Sequence, residues 1–146
     1  MSKLDPDDAD LKRILTTYKR IATVGLSADV TKDSFAVATY LKREGFHLTP
    51  INPKAPEILG EKAYRSLLDI PRDKPIEIVQ LFRPAEEAPG FVEQAIQIGA
   101  RVVWMQLGIE NAAAAQTARA AGLEVVMNHC MMQEHHRLVR PNERVF

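Results

Sequence analysis

An α/β domain, a parallel sheet with helices on both faces, is the fold class this sequence predicts, and three observations predict it. Gly45, Gly99 and Gly122 each fall between a helical pattern and the apolar run that follows it, where a glycine ends one element before the next begins. The run from Ile21 to Leu26 is almost wholly apolar, the pattern of a central strand covered on both faces. That run passes through Gly25 into a short polar loop and a helix start at Ser34. Alternation of this kind implies right-handed crossovers between parallel strands. The expectation is a Rossmann-like three-layer fold with a five-stranded sheet in the order 3-2-1-4-5.

Taken in order, residues 5–18 predict a leading helix packed at the sheet edge. Asp5 is its cap, Pro6 its first residue, and Leu11, Ile14, Leu15 and Tyr18 its apolar face. Strand one is Ile21–Leu26, and the next helix runs from Ser34 to Glu44 with Ser34, Val37, Ala38 and Leu41 inward. Strand two is Phe46–Ile51. Residues 52–74 carry prolines at 53, 56 and 71 and predict an irregular connection with one helical turn at 64–68. Strand three (76–82), a helix (85–98), strand four (101–107), an alanine-rich helix (110–121), strand five (123–127) and a short helix (131–138) complete the chain. Residues 139–146 are expected to be loosely held.

Length and composition bound the rest. At 146 residues the chain suits a single domain, 1–146, with its core at about 14–138. Nineteen basic residues balance nineteen acidic ones, so no general argument for nucleic acid or an anionic membrane arises. No apolar run is long enough to span a bilayer. A lone cysteine, Cys130, and a polar, acidic N-terminus point to a cytoplasmic protein without disulfides.

In such sheets ligands sit beyond the carboxyl ends of the strands, where strand order reverses. Five segments meet there: Gly25-Leu26-Ser27, Asn52-Pro53-Lys54, Phe82-Arg83-Pro84, Gln106-Leu107-Gly108 and Asn128-His129-Cys130. After strand one, the free amides of a helix N-terminus suit a phosphate, with Ser27, Thr31 and Ser34 as added donors. A nicotinamide dinucleotide usually asks for G-x-G-x-x-G and an acidic residue closing strand two. Neither is present, and Lys54 at that point favours a phosphorylated ribose. Two ligands fit: NADP with its 2′-phosphate and coenzyme A with its 3′-phosphate.

The segments V-G-L-S, I-N-P-K, L-G-E-K-A-Y-R-S-L-L-D-I-P, V-Q-L-F-R-P, V-V-W-M-Q-L-G-I and V-V-M-N-H-C-M-M-Q-E-H together resemble the small stand-alone CoA-binding proteins of the YccU-like group. That group is similar to the CoA-binding domain of the succinyl-CoA synthetase alpha subunit. The resemblance covers roughly residues 14–138. It implies that Gly25, Leu26, Ser27 and Ser34 cradle the CoA pyrophosphate, with Lys54, after Asn52 and Pro53, by the 3′-phosphorylated ribose. It further implies that Phe82, Arg83 and Pro84 border the adenine, while Gln106, Gly108, Asn128 and Cys130 line the path of the pantetheine arm. The group usually carries an arginine before that cysteine, where this chain has His129.

Other readings of the same residues stay open. Arg83 either contacts a ligand or pairs with Glu86 or Glu87. Cys130, with His129, His135 and His136 near it in sequence, is a structural thiol, a nucleophile or a redox site. Paired metal-ligand spacings are absent, so no metal is expected. The helix around 111–121 packs on the sheet or forms a homodimer surface. The function expected is binding of CoA or an acyl-CoA without evident catalysis. The alternatives are a small NADP-dependent reductase and a CoA-linked redox or metabolite sensor using Cys130.

Overall fold

In a computed structural model describing residues 5–141, fourteen short elements follow one another. They are α1 (Asp8–Thr17), β1 (Arg20–Val24), α2 (Asp33–Arg43), β2 (His47–Ile51), β3 (Glu57–Ile58), β4 (Glu61–Lys62), a 3-10 turn (Leu67–Asp69), β5 (Ile78–Leu81), a 3-10 turn (Ala85–Glu87), α3 (Ala88–Gln97), β6 (Val102–Met105), α4 (Ala112–Ala120), β7 (Glu124–Val126) and α5 (Met131–Val139). β1, β2, β5, β6 and β7 form one parallel sheet, as the alternating pattern predicts. Of the expected loose tail, residues 142–146 lie outside the described residues, and Val139 closes α5.

Strand order corrects the expectation. The sheet runs β2-β1-β5-β6-β7, which in chain order is 2-1-3-4-5 rather than 3-2-1-4-5. Pro50 gives the physical reason. It lies in β2 opposite Thr23 of β1, and on the outer side its carbonyl accepts from the Tyr64 amide at 3.0 Å. Its nitrogen, facing that same side, has no proton to give a neighbouring strand, and proline inside a strand is confined to edges. β2 is therefore the edge strand of the sheet, bridged on its outer side where Ile51 meets Tyr64. The third strand crosses to the far side of β1.

Two apolar layers flank the sheet because alternate strand residues face opposite ways. Ile21, Ile78, Val102, Trp104 and Val126 face α1, α2 and α5. Ala22, Val24, Val79, Leu81, Val103 and Met105 face α3 and α4. The α4 alanines 114, 115 and 118 are buried against that second layer.

Local chemistry shifts some boundaries. α1 is capped by Asp7 rather than Asp5: Asp7 Oδ1 accepts from the Asp10 amide at 2.9 Å, and Asp10 Oδ2 accepts from the Asp7 amide at 3.1 Å, a reciprocal box available only with a carboxylate three residues on. This helix packs chiefly on α5, and Arg13 reaches the sheet edge by pairing with Glu124 of β7. Tyr64 is extended, and the helical turn sits at Leu67–Asp69, where Ser66 Oγ accepts from the Leu68 amide at 3.2 Å.

Candidate functional site

With β1 and β5 adjacent, strand order reverses between them, and Gly25 and Arg83 meet there. Gly25 has φ +84°, and a Cβ added to it would lie 3.0 Å from Arg83 Cδ. Arg83 in turn places Nε 3.1 Å and Nη2 2.8 Å from the two carboxylate oxygens of Glu87, which raises its already high pKa. The local pairing is thus realised, while the guanidinium stays half-exposed.

The first loop is held open by its own hydroxyls. Ser34 Oγ accepts from the Ser27 amide at 3.0 Å, Ser27 Oγ accepts from the Asp29 amide at 3.0 Å, and Asp29 accepts from the Thr31 amide and hydroxyl. Those contacts hold the Asp29 carboxyl below the usual range, the Thr31 hydroxyl first. Leu26 belongs to the core rather than the loop surface: its side chain is fully buried. Its carbonyl accepts from Asn52 Nδ2 at 2.9 Å, while Asn52 Oδ1 accepts from the Lys54 and Ala55 amides. One asparagine thereby ties the loops after β1 and β2 together. Pro53 and Lys54 project at the exposed turn beyond it.

A pocket of about 330 Å³ opens beside this loop. Its walls come from Asp33 and Val37 of α2, from Phe82, from Gln106 and Leu107, and from Cys130 at the start of α5. Of the residues expected in the site, Phe82, Gln106 and Cys130 are brought together here. Gly108 and Asn128 are joined beside it, Asn128 Oδ1 accepting from the Gly108 amide at 2.6 Å, with Asn128 at φ +60°. Pro84 caps the turn that opens α3. A larger hollow of about 550 Å³ lies by the 67–76 connection and the end of α3, away from these strand ends.

Sequence reasoning missed a buried polar chain behind the pocket. Thr23 Oγ1 donates to Gln80 Oε1 at 2.8 Å, Gln80 Nε2 donates to Gln106 Oε1 at 3.1 Å, and the Met131 amide donates to the same Gln106 oxygen at 3.0 Å. A threonine and a glutamine inside otherwise apolar strands were the signal, since buried polar groups are paired. Asp33 and Val37 were missed as well. The histidines sit elsewhere: His135 is buried with Nδ1 2.8 Å from the Tyr40 hydroxyl, and His129 Nδ1 is 3.1 Å from Glu134. Among the described residues no group of three or more His, Cys, Asp or Glu is placed to hold a metal.

Comparison with known proteins places this geometry. Residues 19–136 match the family described as the CoA binding domain. The chain belongs to the CoA-binding domain family. Within it, the chain is 39% identical over 131 residues to the uncharacterized protein YneT of Bacillus subtilis, covering 90% of this chain and 96% of that one. An ADP-forming acetate–CoA ligase of Archaeoglobus fulgidus is 36% identical over 83 residues, 56% of this chain but only 12% of the ligase. Among solved structures, a hypothetical protein of Pyrococcus horikoshii superposes with TM-score 0.89 at 44% identity, over 95% of this chain and 99% of that one. This CoA-binding domain is therefore akin both to stand-alone chains and to a segment of much larger ligases. No helix among its described residues is long and apolar enough to cross a membrane.

Proposed function

We propose that the protein binds coenzyme A or an acyl-CoA at the carboxyl edge of its sheet, holding the ligand without chemistry of its own. The observation that carries this reading is the junction of the 330 Å³ pocket with the loop and first turn of α2 at the strand-order reversal. The Ser27 and Ser34 hydroxyls, whose oxygens accept loop amides while their protons stay available, and the first-turn amides of α2 are offered to the pyrophosphate at the positive end of an eleven-residue helix. Lys54 is the cation for the 3′-phosphate, Arg83 and Phe82 border the adenine, and the pocket past Gln106 and Cys130 takes the arm. Kinship to a ligase whose name specifies CoA supports the same ligand.

Differential scanning fluorimetry with CoA, NADP and NAD tests this directly. A ligand at 100 times its dissociation constant adds about 2.7 kcal/mol of stability, several degrees in a domain of this size. CoA raising the melt well above NADP and NAD supports the reading. An equal or larger shift with NADP transfers it to a reductase. Cys130 lining the same pocket favours a second reading, a thiol sensor exchanging with CoA disulfide to release one CoA. An intact-protein mass unchanged after incubation with that disulfide would exclude it.

A further inference from the structure

The side-chain amide of Gln106 has its direction fixed by a backbone proton. The Met131 N–H, at the first residue of α5, only donates, and the Gln106 amide atom 3.0 Å away must therefore be the oxygen. The same oxygen takes the Gln80 amide nitrogen at 3.1 Å, which leaves the Gln80 oxygen for the Thr23 hydroxyl at 2.8 Å. One backbone donor orients two glutamines. Turning Gln106 over would set its NH2 against two donors.

It follows that Gln106 Nε2 carries its protons away from the chain. It donates to none of the described residues, yet it is not sealed in, because no fully buried side-chain nitrogen or oxygen among them lacks a partner. Gln106 is 4% exposed and lines the pocket. Most of the other lining side chains are apolar, among them Val37, Phe82, Leu107, Ile109 and Met132, with Asp33 and Gln133 the polar ones. A neutral donor in an apolar wall is matched by a neutral acceptor.

We propose that Gln106 Nε2 is a ligand-recognition donor for a carbonyl oxygen on the CoA arm, either a pantetheine amide or the thioester of an acyl group. This rests on the CoA reading above. Thr23 and Gln80 act through Gln106 as positioning residues, holding its amide in the one orientation that presents a donor.

The test follows the Gln106 side-chain NH2 resonances in 13C,15N-labelled wild-type protein, assigned by through-bond correlation, during titration with acetyl-CoA and with S-ethyl-CoA, which lacks the thioester carbonyl. Movement with both ligands identifies a pantetheine amide as the acceptor; movement with acetyl-CoA alone identifies the thioester. In calorimetry Gln106→Glu keeps an oxygen for Met131 and Gln80 but turns an acceptor to the pocket. It should weaken binding of the recognised ligand about tenfold while leaving adenosine 3′,5′-bisphosphate, which has no arm, unchanged. Wild-type binding of both CoA compounds with the NH2 resonances unmoved overturns the proposal, and should the variant fail to fold, this arm alone decides. Failure of every CoA compound to bind wild type removes the CoA reading itself.

Discussion

A Cβ on Gly25 would stand 3.0 Å from Cδ and 3.2 Å from Cγ of Arg83, because the turn after β1 and the residue after β5 cross at the reversal of the sheet. The same glycine sits at φ +84°, where a side chain costs about 1–2 kcal/mol. Gly25→Ala should therefore lower the urea midpoint and push Arg83 from Glu87. Titration should show weaker CoA binding as the loop is displaced. An alanine variant with wild-type stability and affinity would mean that the close approach constrains nothing.

Under the CoA reading proposed above, Lys54 separates ligand recognition from folding. It stands exposed after the Asn52 turn, and its backbone amide donates to Asn52 Oδ1. Lys54→Ala should leave the melting temperature of the free protein unchanged and weaken CoA roughly fivefold, as the loss of one charge-assisted contact does. Dephospho-CoA, lacking the 3′-phosphate, should bind both proteins alike. An equal loss for both ligands would move Lys54 away from the 3′-phosphate.

Most of the layer structure was legible because it depends on local pattern. Gly45, Gly99 and Gly122 do stand between a helix and a strand, and the apolar run from Ile21 lies at the sheet interior. Strand order was not read correctly, although Pro50 carried the information: a proline opposite Thr23 leaves β2 unable to serve as an interior strand. That error put the expected reversal between strands one and four, whereas it lies between one and three, and so hid the contact of Gly25 with Arg83. Of the residues expected at strand ends, Phe82, Gln106 and Cys130 line the pocket. Asp33 and Val37, which also line it, were not expected, because a helix delivers them to the pocket from outside those segments. The Thr23–Gln80–Gln106 chain needed the register of β1, β5 and β6, which no local pattern supplies.

Burial makes His135 a source of pH-dependent stability. Removal from water holds it below its ordinary pKa; Glu44 favours the proton, and Lys19, Arg140 and His136 oppose it. The ring lies edge-on to Tyr40 and Phe46. The unfolded chain then binds a proton at higher pH than the native one, so stability is full above the ordinary histidine range and falls as pH drops toward the native value. Melting temperature should decline from pH 7.5 to 5.5, and the decline should be shallower in His135→Gln. Tyr40→Phe, which leaves Nδ1 without its 2.8 Å partner, should cost about 1–3 kcal/mol at pH 7.5. A melting curve in wild type that is flat across this range would show that His135 takes up its proton without penalty.

Asn52 joins folding to the proposed ligand site most directly. Its Nδ2 donates to the Leu26 carbonyl at 2.9 Å, and its Oδ1 accepts from the Lys54 amide at 2.7 Å and the Ala55 amide at 2.9 Å. The first bond fixes the loop after β1 and the others fix the turn that presents Lys54. Asn52→Ala removes all three, leaving a carbonyl and two amides in search of partners; water satisfies those near the surface, so the expected loss is about 1–3 kcal/mol rather than the sum. Asn52→Asp preserves acceptance from Lys54 and Ala55 but sets an oxygen against the Leu26 carbonyl, so it should disturb the first loop selectively. Urea denaturation should rank both variants below wild type. Binding should divide them: Asn52→Asp should weaken CoA and dephospho-CoA alike through the first loop, whereas Asn52→Ala should in addition erase the preference for the 3′-phosphate. If Asn52→Ala keeps that preference, the turn presents Lys54 without its asparagine, and the coupling between the two loops is not what builds the site.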